Sequence, residues 1–192
     1  NLWRNWDDIE CNWKSIKSIM DKFGNETKWA EYAGPGHWND ADMIVAGLKG
    51  GSLTEDESKS HFAIWSILAS PLIMSNDLRE LPEWAVKILR NKEIIAVDQD
   101  VMGKQGIRIT PFEETRSVWA RPLANGDVAV ALHNHGEEVV DIPLDFKIIG
   151  NKMKYSLRDL YEHEELGEFE SRYVAKSVPV HGVQMLRLTP IA

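Results

Sequence analysis

The sequence has a single cysteine and lacks any long apolar segment. With Cys11 alone, the chain can form neither an internal disulfide framework nor a metal site built from several cysteines. No apolar run approaches the roughly 20 residues that a membrane-spanning helix needs. A disulfide-stapled scaffold and a helical membrane protein are therefore excluded. The 192 residues, of which 43% are hydrophobic, suffice for a sizeable core.

Basic residues are also few. Lysine and arginine total 22 against 30 aspartates and glutamates, which gives a formal net charge of -8. A surface that binds nucleic acid or a polybasic membrane anchor needs the opposite balance. We therefore expect neither a nucleic-acid partner nor a membrane partner, and a neutral or weakly polar small molecule fits better.

The chain opens on Asn1-Leu2-Trp3, without an initiator methionine or an apolar signal segment. We expect it to continue a longer polypeptide. Asn25-Glu26-Thr27 is an N-glycosylation sequon, which has meaning only if the protein is secreted.

The first hundred residues alternate short apolar runs with helical patterns. Apolar residues recur at helical spacing from Trp13 to Phe23, with Gly24 as the stop. Thr54 and Glu57 form a capping box that predicts a helix over 55–69, and a further helix is expected over 83–91. Residues 69–75 read as a short buried strand. This alternation predicts parallel βα units.

The pattern changes to period two beyond residue 103. Asn125-Gly126 predicts a type I′ hairpin between two apolar strands. The remaining strands are expected at 139–144, 154–157, 171–174 and 183–188. We therefore predict two domains, 1–103 with βα units and 104–192 with an antiparallel β-sandwich.

Acidic residues follow three successive strand candidates. They are Asp7-Asp8, Asp40 with Asp42, and Asn76-Asp77. Taken singly, each acid is best explained as the N-cap of the next helix. However, Trp38 beside Asp40 and Asp42 is a combination typical of sugar sites, because an aromatic ring covers the apolar sugar face while carboxylates accept hydroxyl hydrogen bonds.

Several motifs in order along the chain carry a family resemblance. They are Trp3-Arg4-Asn5-x-x-Asp8-Ile9, residues 13–19, Ala33-Gly34-Pro35-Gly36-x-Trp38-Asn39-Asp40-x-Asp42-Met43, residues 70–79, and Asp98-Gln99-Asp100-x-x-Gly103-Lys104-Gln105-Gly106. Together they closely resemble glycoside hydrolase family 27, which contains α-galactosidases and α-N-acetylgalactosaminidases. The resemblance implies an α/β fold: the C-terminal part of a (β/α)8 TIM barrel, about strands 6–8, followed by an antiparallel β-sandwich.

The resemblance also implies a retaining double displacement that uses two aspartates and no cofactor. By position, Asp8 matches the acid/base, and Arg4 matches a residue that binds sugar hydroxyls. Asp42 and Met43 match positions that line the galactose pocket. Asp8 must hold a proton when substrate is bound, and Arg4 opposes this, so we expect a pH optimum below neutrality.

The family's nucleophile, its first-strand pocket residues and its specificity loop have no counterpart here. We therefore expect this chain alone to be inactive and to be a fragment of an enzyme acting on glycans with terminal α-galactose. The alternatives are an α-N-acetylgalactosaminidase and, from another class, a non-catalytic sugar-binding remnant. The resemblance suggests a lysosomal, vacuolar or secreted setting and allows a homodimer.

The other notable side chains have simpler interpretations. Asp7 reads as a solvated or capping neighbour of Asp8, whereas Asp40 and Trp38 would support the loop. His133 and His135 lie on one face of a predicted strand, but two ligands make a weak metal site, so surface or hairpin-end histidines are the better interpretation and no metal is expected. We expect His37 at the pocket rim and His163 in solvent. Trp29, Trp84 and Trp119 are expected in the core.

Overall fold

A computed structural model describes residues 1–111, 115–150 and 153–191. The helices and strands, in chain order, are β1 (Leu2–Arg4), α1 (Trp13–Asn25), β2 (Trp38–Asp40), α2 (Glu55–Ile67), α3 (Glu83–Leu89), α4 (Lys92–Asp98), β3 (Ile107–Arg108), β4 (Arg116–Pro122), β5 (Val128–Asn134), β6 (Val140–Asp145), β7 (Lys154–Asp159), β8 (Glu164–Glu170), β9 (Arg172–Val178) and β10 (Val183–Pro190). The 3₁₀ helices Thr27–Tyr32 and Phe146–Ile148 complete the list of helical segments.

The first two strands are parallel, as predicted. Leu2, Trp3 and Arg4 pair with Trp38, Asn39 and Asp40, and α1 lies between the strands in sequence. Residues 69–75 do not form the predicted buried strand. Met74 forms only an isolated parallel bridge with Ile44, which lies outside the described strands, and Ile73 is 49% exposed. Pro71 donates no ladder hydrogen bond, and no described strand pairs with the far side of this segment.

Helices α1 to α3 follow the predicted pattern, with one correction. Thr54 and Glu57 form the expected capping box at the start of α2. Gly24 lies inside the last turn of α1 and does not stop it. The Arg108 guanidinium packs against Gly24, and a Cβ there would lie 2.9 Å from its central carbon, so a larger residue would require that side chain to shift. Helix α4 was not predicted.

The second half of the chain is an antiparallel β-sandwich, as predicted. One sheet has the strand order β3-β4-β5-β10-β7-β8, and the other pairs β6 with β9. Both sheets contribute to one apolar cluster, which includes Val130, Leu144, Leu157 and Leu186. Strands β3 and β8 were missed, because β3 has two residues and β8 is mostly exposed and acidic.

The turn between β4 and β5 differs from the predicted type I′ hairpin. That turn requires a positive φ at both central residues, but only Gly126 has one, at 91°. Instead, Gly126 donates to the Leu123 carbonyl, and Leu123 donates to the Asp127 carbonyl. The connection is therefore a longer loop in which glycine supplies the one left-handed position.

Helix α2 joins the two halves. Nearly every residue from Glu57 to Ile67 is buried, and the same apolar cluster contains Trp65 of α2 and Trp119, Ala131 and Met185 of the sandwich. One face of the β4-β5-β10 sheet therefore completes the core of the βα region. The predicted boundary at residue 103 remains a prediction. Among the residues described, no helix is long and apolar enough to cross a membrane.

Candidate active site

The ends of the two parallel strands bring the predicted site residues together. Arg4 ends β1, and Asp42 and Met43 follow β2, because the carboxyl ends of parallel strands lie at the same edge of a sheet. Arg4 Nη2 donates to Asp8 Oδ1 at 2.6 Å, and Arg4 Nη1 lies 2.9 Å from Asp42 Oδ2. One guanidinium thus links two carboxylates separated by 34 positions in the sequence.

The carboxylate of Asp42 is almost fully occupied by donors. Its Oδ2 accepts the backbone N–H of Ile9 at 2.8 Å in addition to Arg4, and its Oδ1 accepts the N–H of Met43 at 2.8 Å. A carboxylate has about four acceptor positions, so about one remains for a further donor such as a sugar hydroxyl. The side chain is 10% exposed.

The backbone of Asp42 adopts an uncommon conformation. Its φ of 78° lies in the left-handed region, which costs a non-glycine residue on the order of 1–3 kcal/mol. Three hydrogen bonds hold it there: Trp65 Nε1 donates to the Asp42 carbonyl at 2.8 Å, Asp42 N donates to Asp40 Oδ1 at 2.8 Å, and Ala41 N donates to Ser70 Oγ at 2.9 Å. Asp40 thus supports the loop.

Asp8 is open to solvent. Its side chain is 97% exposed, and its contact with Arg4 is the one hydrogen bond found for it among the described residues. Asp7 is also exposed. The loop between them and β1 is fixed by Trp6, whose indole N–H donates to Ser18 Oγ at 3.1 Å and whose ring lies 4.6 Å from Lys22 Nζ.

The electrostatics of Arg4 follow from this arrangement. Burial lowers the pKa of its guanidinium, but the hydrogen bond to Asp8 and the charges of Asp42, Asp8 and Asp40 outweigh burial, so the pKa is raised. Arg4 therefore stays cationic at any working pH and can pair with both carboxylates.

An aromatic groove lies against the β1–β2 pair, and residues of both strands line it. It has a volume of about 420 Å³ and is lined by residues that include Trp3, Trp29, Tyr32, His37 and Trp38. Trp3 is 72% exposed, and within the described ranges no strand pairs with the edge of β1 opposite β2. His37 is an exposed rim residue of this groove rather than of the Arg4–Asp8–Asp42 cluster.

The remaining histidines and tryptophans occupy varied environments. The interpretation of His133 as a surface residue is wrong, because its side chain is buried. The centroid of its ring lies 5.6 Å from that of His135. Burial holds the pKa of His133 well below its ordinary value. Within the part of the chain that the structure describes, no group of three or more His, Cys, Asp or Glu could hold a metal ion. Trp119 is a core residue.

Trp29 and Trp84 are partly buried against the same core. His163 is about half exposed and contacts Glu93 at 2.6 Å. Sequence reasoning missed Trp6 and Trp65. The aromatic position inside the Arg4-to-Asp8 motif was a signal for Trp6, but Trp65 looked like any apolar helix residue.

Both halves of the chain match known protein families. Residues 1–100 match the family described as "Alpha galactosidase A", and residues 113–188 match "Alpha galactosidase C-terminal beta sandwich domain". Alpha-galactosidase 3 of Arabidopsis thaliana is 39% identical over 99% of this chain and 43% of the relative. Alpha-N-acetylgalactosaminidase of Gallus gallus is 38% identical over 86% of this chain and 40% of the relative.

A solved structure has the same fold as this chain. Alpha-galactosidase I from Mortierella vinacea superimposes with a TM-score of 0.90 at 27% identity, over 100% of this chain and 54% of that one. The chain thus spans less than half the length of the curated relatives it matches.

Proposed function

Since the chain belongs to the α-galactosidase family, glycoside hydrolase family 27, we propose that it supplies the acid/base side of a retaining α-galactosidase site. Asp8 is the acid/base, and Arg4, Asp42 and Met43 face the galactose ring. The observation that carries the proposal is the Arg4 guanidinium bridging Asp8 and Asp42 at the ends of parallel strands.

The proposed reaction has two steps. In the first, a nucleophilic carboxylate attacks the anomeric carbon while Asp8 gives its proton to the departing glycosidic oxygen. In the second, the Asp8 carboxylate takes a proton from water, whose oxygen bonds to the anomeric carbon as the bond from that carbon to the nucleophilic carboxylate breaks, which frees the sugar with retained configuration. Exposure of Asp8 in this chain leaves room for both an aglycone and a water molecule.

The nucleophile must come from elsewhere in the catalytic barrel. Asp42 is poorly suited, because three donors already occupy its oxygens and Arg4 neutralises its charge. The edge of β1 that does not pair with β2 is where a further parallel strand would add. The proposed activity therefore belongs to a barrel completed by further βα units, because the two parallel strands β1 and β2 cannot close one.

Two other interpretations deserve a test. The similarity to the Gallus gallus protein supports an α-N-acetylgalactosaminidase as the second candidate. The unclosed barrel supports a non-catalytic sugar-binding remnant. We also propose a lysosomal, vacuolar or secreted setting, which the sequon allows, with homodimerisation as a further possibility.

The test is complementation. The chain is co-expressed with the first half of the barrel of the Arabidopsis relative, and hydrolysis of p-nitrophenyl α-D-galactoside and its N-acetylgalactosaminide is measured. We expect galactoside hydrolysis with an optimum below pH 7. Asp8→Asn should lower kcat at least about 100-fold, as expected for loss of a general acid, and its exposed neighbour variant Asp7→Asn is the matched control.

Two outcomes would count against this assignment. They are an equal loss of kcat in both variants and an optimum above pH 8. Sugar binding without turnover in the completed assembly would favour the remnant.

A further inference from the structure

Asp42 joins three parts of the structure that are far apart in sequence. Its carboxylate holds the backbone of Ile9 and the side chain of Arg4, so it reaches the loop that carries Asp8 from β2. Its carbonyl accepts the indole N–H of Trp65, which lies on α2. The conformation of the Asp8 loop is therefore connected through Asp42 to the buried face of a helix.

Trp65 cannot take part in the chemistry directly. Its side chain is completely buried within the apolar core. Its indole nevertheless donates to the carbonyl of a residue whose φ of 78° is unfavourable without such support. If this bond is lost, the Asp42 backbone can relax, and its carboxylate then moves away from Ile9 and Arg4.

We propose that Trp65 and Asp42 are positioning residues. Trp65 holds the backbone of Asp42, and the Asp42 carboxylate in turn holds the loop of residues 4–9, which places Asp8. The effect on catalysis rests on the proposed function, because the position of Asp8 matters for catalysis only if Asp8 is the acid/base. The fold as such does not require the arrangement, because a glycine at position 42 would adopt the same φ without strain.

The first test measures amide hydrogen–deuterium exchange of this chain by NMR. The Ile9 N–H is a suitable reporter, because its hydrogen bond is to the Asp42 carboxylate. Asp42→Asn puts an amide NH2 where two donors converge, and should speed Ile9 exchange about tenfold or more. Trp65→Phe leaves that carboxylate intact, and should speed the same exchange several-fold.

The matched control is Trp119→Phe. Trp119 is also a buried core tryptophan, and its indole N–H donates to Ser117 Oγ at 2.9 Å, within the sandwich sheet. This variant removes the same ring area and the same kind of hydrogen bond, and should leave Ile9 exchange unchanged. Equal acceleration in both tryptophan variants, or none in Trp65→Phe, would overturn the proposal.

A second variant covers the case in which Trp65→Phe does not fold. Ser70→Ala removes the acceptor for the Ala41 N–H, next to Asp42, with little change in volume. It should also speed Ile9 exchange, and unchanged exchange would refute the relay. In the complemented enzyme, Trp65→Phe should lower kcat several-fold and change KM less than twofold, and an unchanged kcat would remove its catalytic meaning.

The two hypotheses fail separately. No hydrolysis in any assembly, together with the expected exchange pattern, refutes the proposed function but leaves the loop-holding role. Hydrolysis without the exchange pattern refutes the positioning role alone.

Discussion

Asp98 and His61 are buried ionisable residues on α4 and α2, and they respond to pH in opposite directions. Burial raises the pKa of Asp98 to about 7, although the hydrogen bond from Gln99 and the charge of Arg121 lower it. Burial lowers the pKa of His61 to about 3. Both residues therefore favour their neutral forms in the folded protein, as expected for groups removed from water.

Replacing Asp98 should reveal how much this residue contributes to the pH dependence of folding stability. Between about pH 4 and pH 7 the folded state binds more protons at Asp98 than the unfolded state, so stability from this residue falls as pH rises. The total is at most about 4 kcal/mol for a shift of about three pKa units. Asp98→Asn should match the wild type near pH 4 and become more stable than it near pH 7.5.

Denaturant unfolding at several pH values checks this expectation. His61 contributes the opposite slope, from about pH 3 to pH 6.5, but it is present in both proteins and cancels in the difference. Asp7→Asn, at an exposed position, is the control and should parallel the wild type. A wild-type–Asp98→Asn difference independent of pH would contradict the prediction.

At the scale of elements, the start of α2 carries more than a helix cap. Thr54 Oγ1 accepts the Glu57 N–H at 3.2 Å, and Glu57 Oε2 accepts the Thr54 N–H at 2.8 Å. The second oxygen of Glu57 lies 2.7 Å from His181 Nδ1, in the loop between β9 and β10. The cap thus also contacts the sandwich, as does Ser60 Oγ, which donates to the His181 carbonyl.

Thr54→Ala should therefore destabilise the whole fold. Loss of an N-cap hydroxyl costs about 1 kcal/mol, and because the first turn of α2 includes the buried Glu57, which contacts His181, fraying of that turn would also disturb the contact with the sandwich. Thr54→Ser keeps the acceptor and should retain most of the stability. Urea unfolding of the two variants measures the difference, and equal stability would show that the capping box contributes nothing.

Much of this element could be predicted from sequence, and some could not. Thr54 and Glu57 predict the helix cap from sequence, because the two residues of a capping box are only three positions apart. The contact to His181 joins positions 124 apart and has no sequence signature. Similarly, residues 69–75 do not form a strand because they lack pairing partners among the described strands, and a local apolar pattern does not specify such partners.

At the scale of the molecule, the βα region and the sandwich share one core. Trp65 and Ile64 of α2 lie in the same apolar cluster as Trp119, Ala129 and Met185. Separation of the halves would expose both faces of this contact. The open edge of β1 adds exposed apolar surface, including Leu2 and Trp3.

Residues 1–103 expressed alone should therefore aggregate or require a partner. Both the face of α2 that packs on the sandwich and the free strand edge would contact solvent, and such surfaces associate. Size-exclusion chromatography and thermal melting, with the full chain as control, test this. A monodisperse monomer of residues 1–103 that melts cooperatively would refute it.

The sequence by itself determined most of the helices and strands, the succession of βα units and sandwich, the family, and which acids follow the first two strands. These features depend on periodicity, caps and motifs, which act over a few residues. Only the tertiary structure decided that one arginine joins Asp8 to Asp42, that Asp42 is held in a left-handed conformation by Trp65, and that α2 shares its core with the sandwich. These contacts depend on the path of the chain in three dimensions, because each joins residues whose local sequence would be equally compatible with other partners.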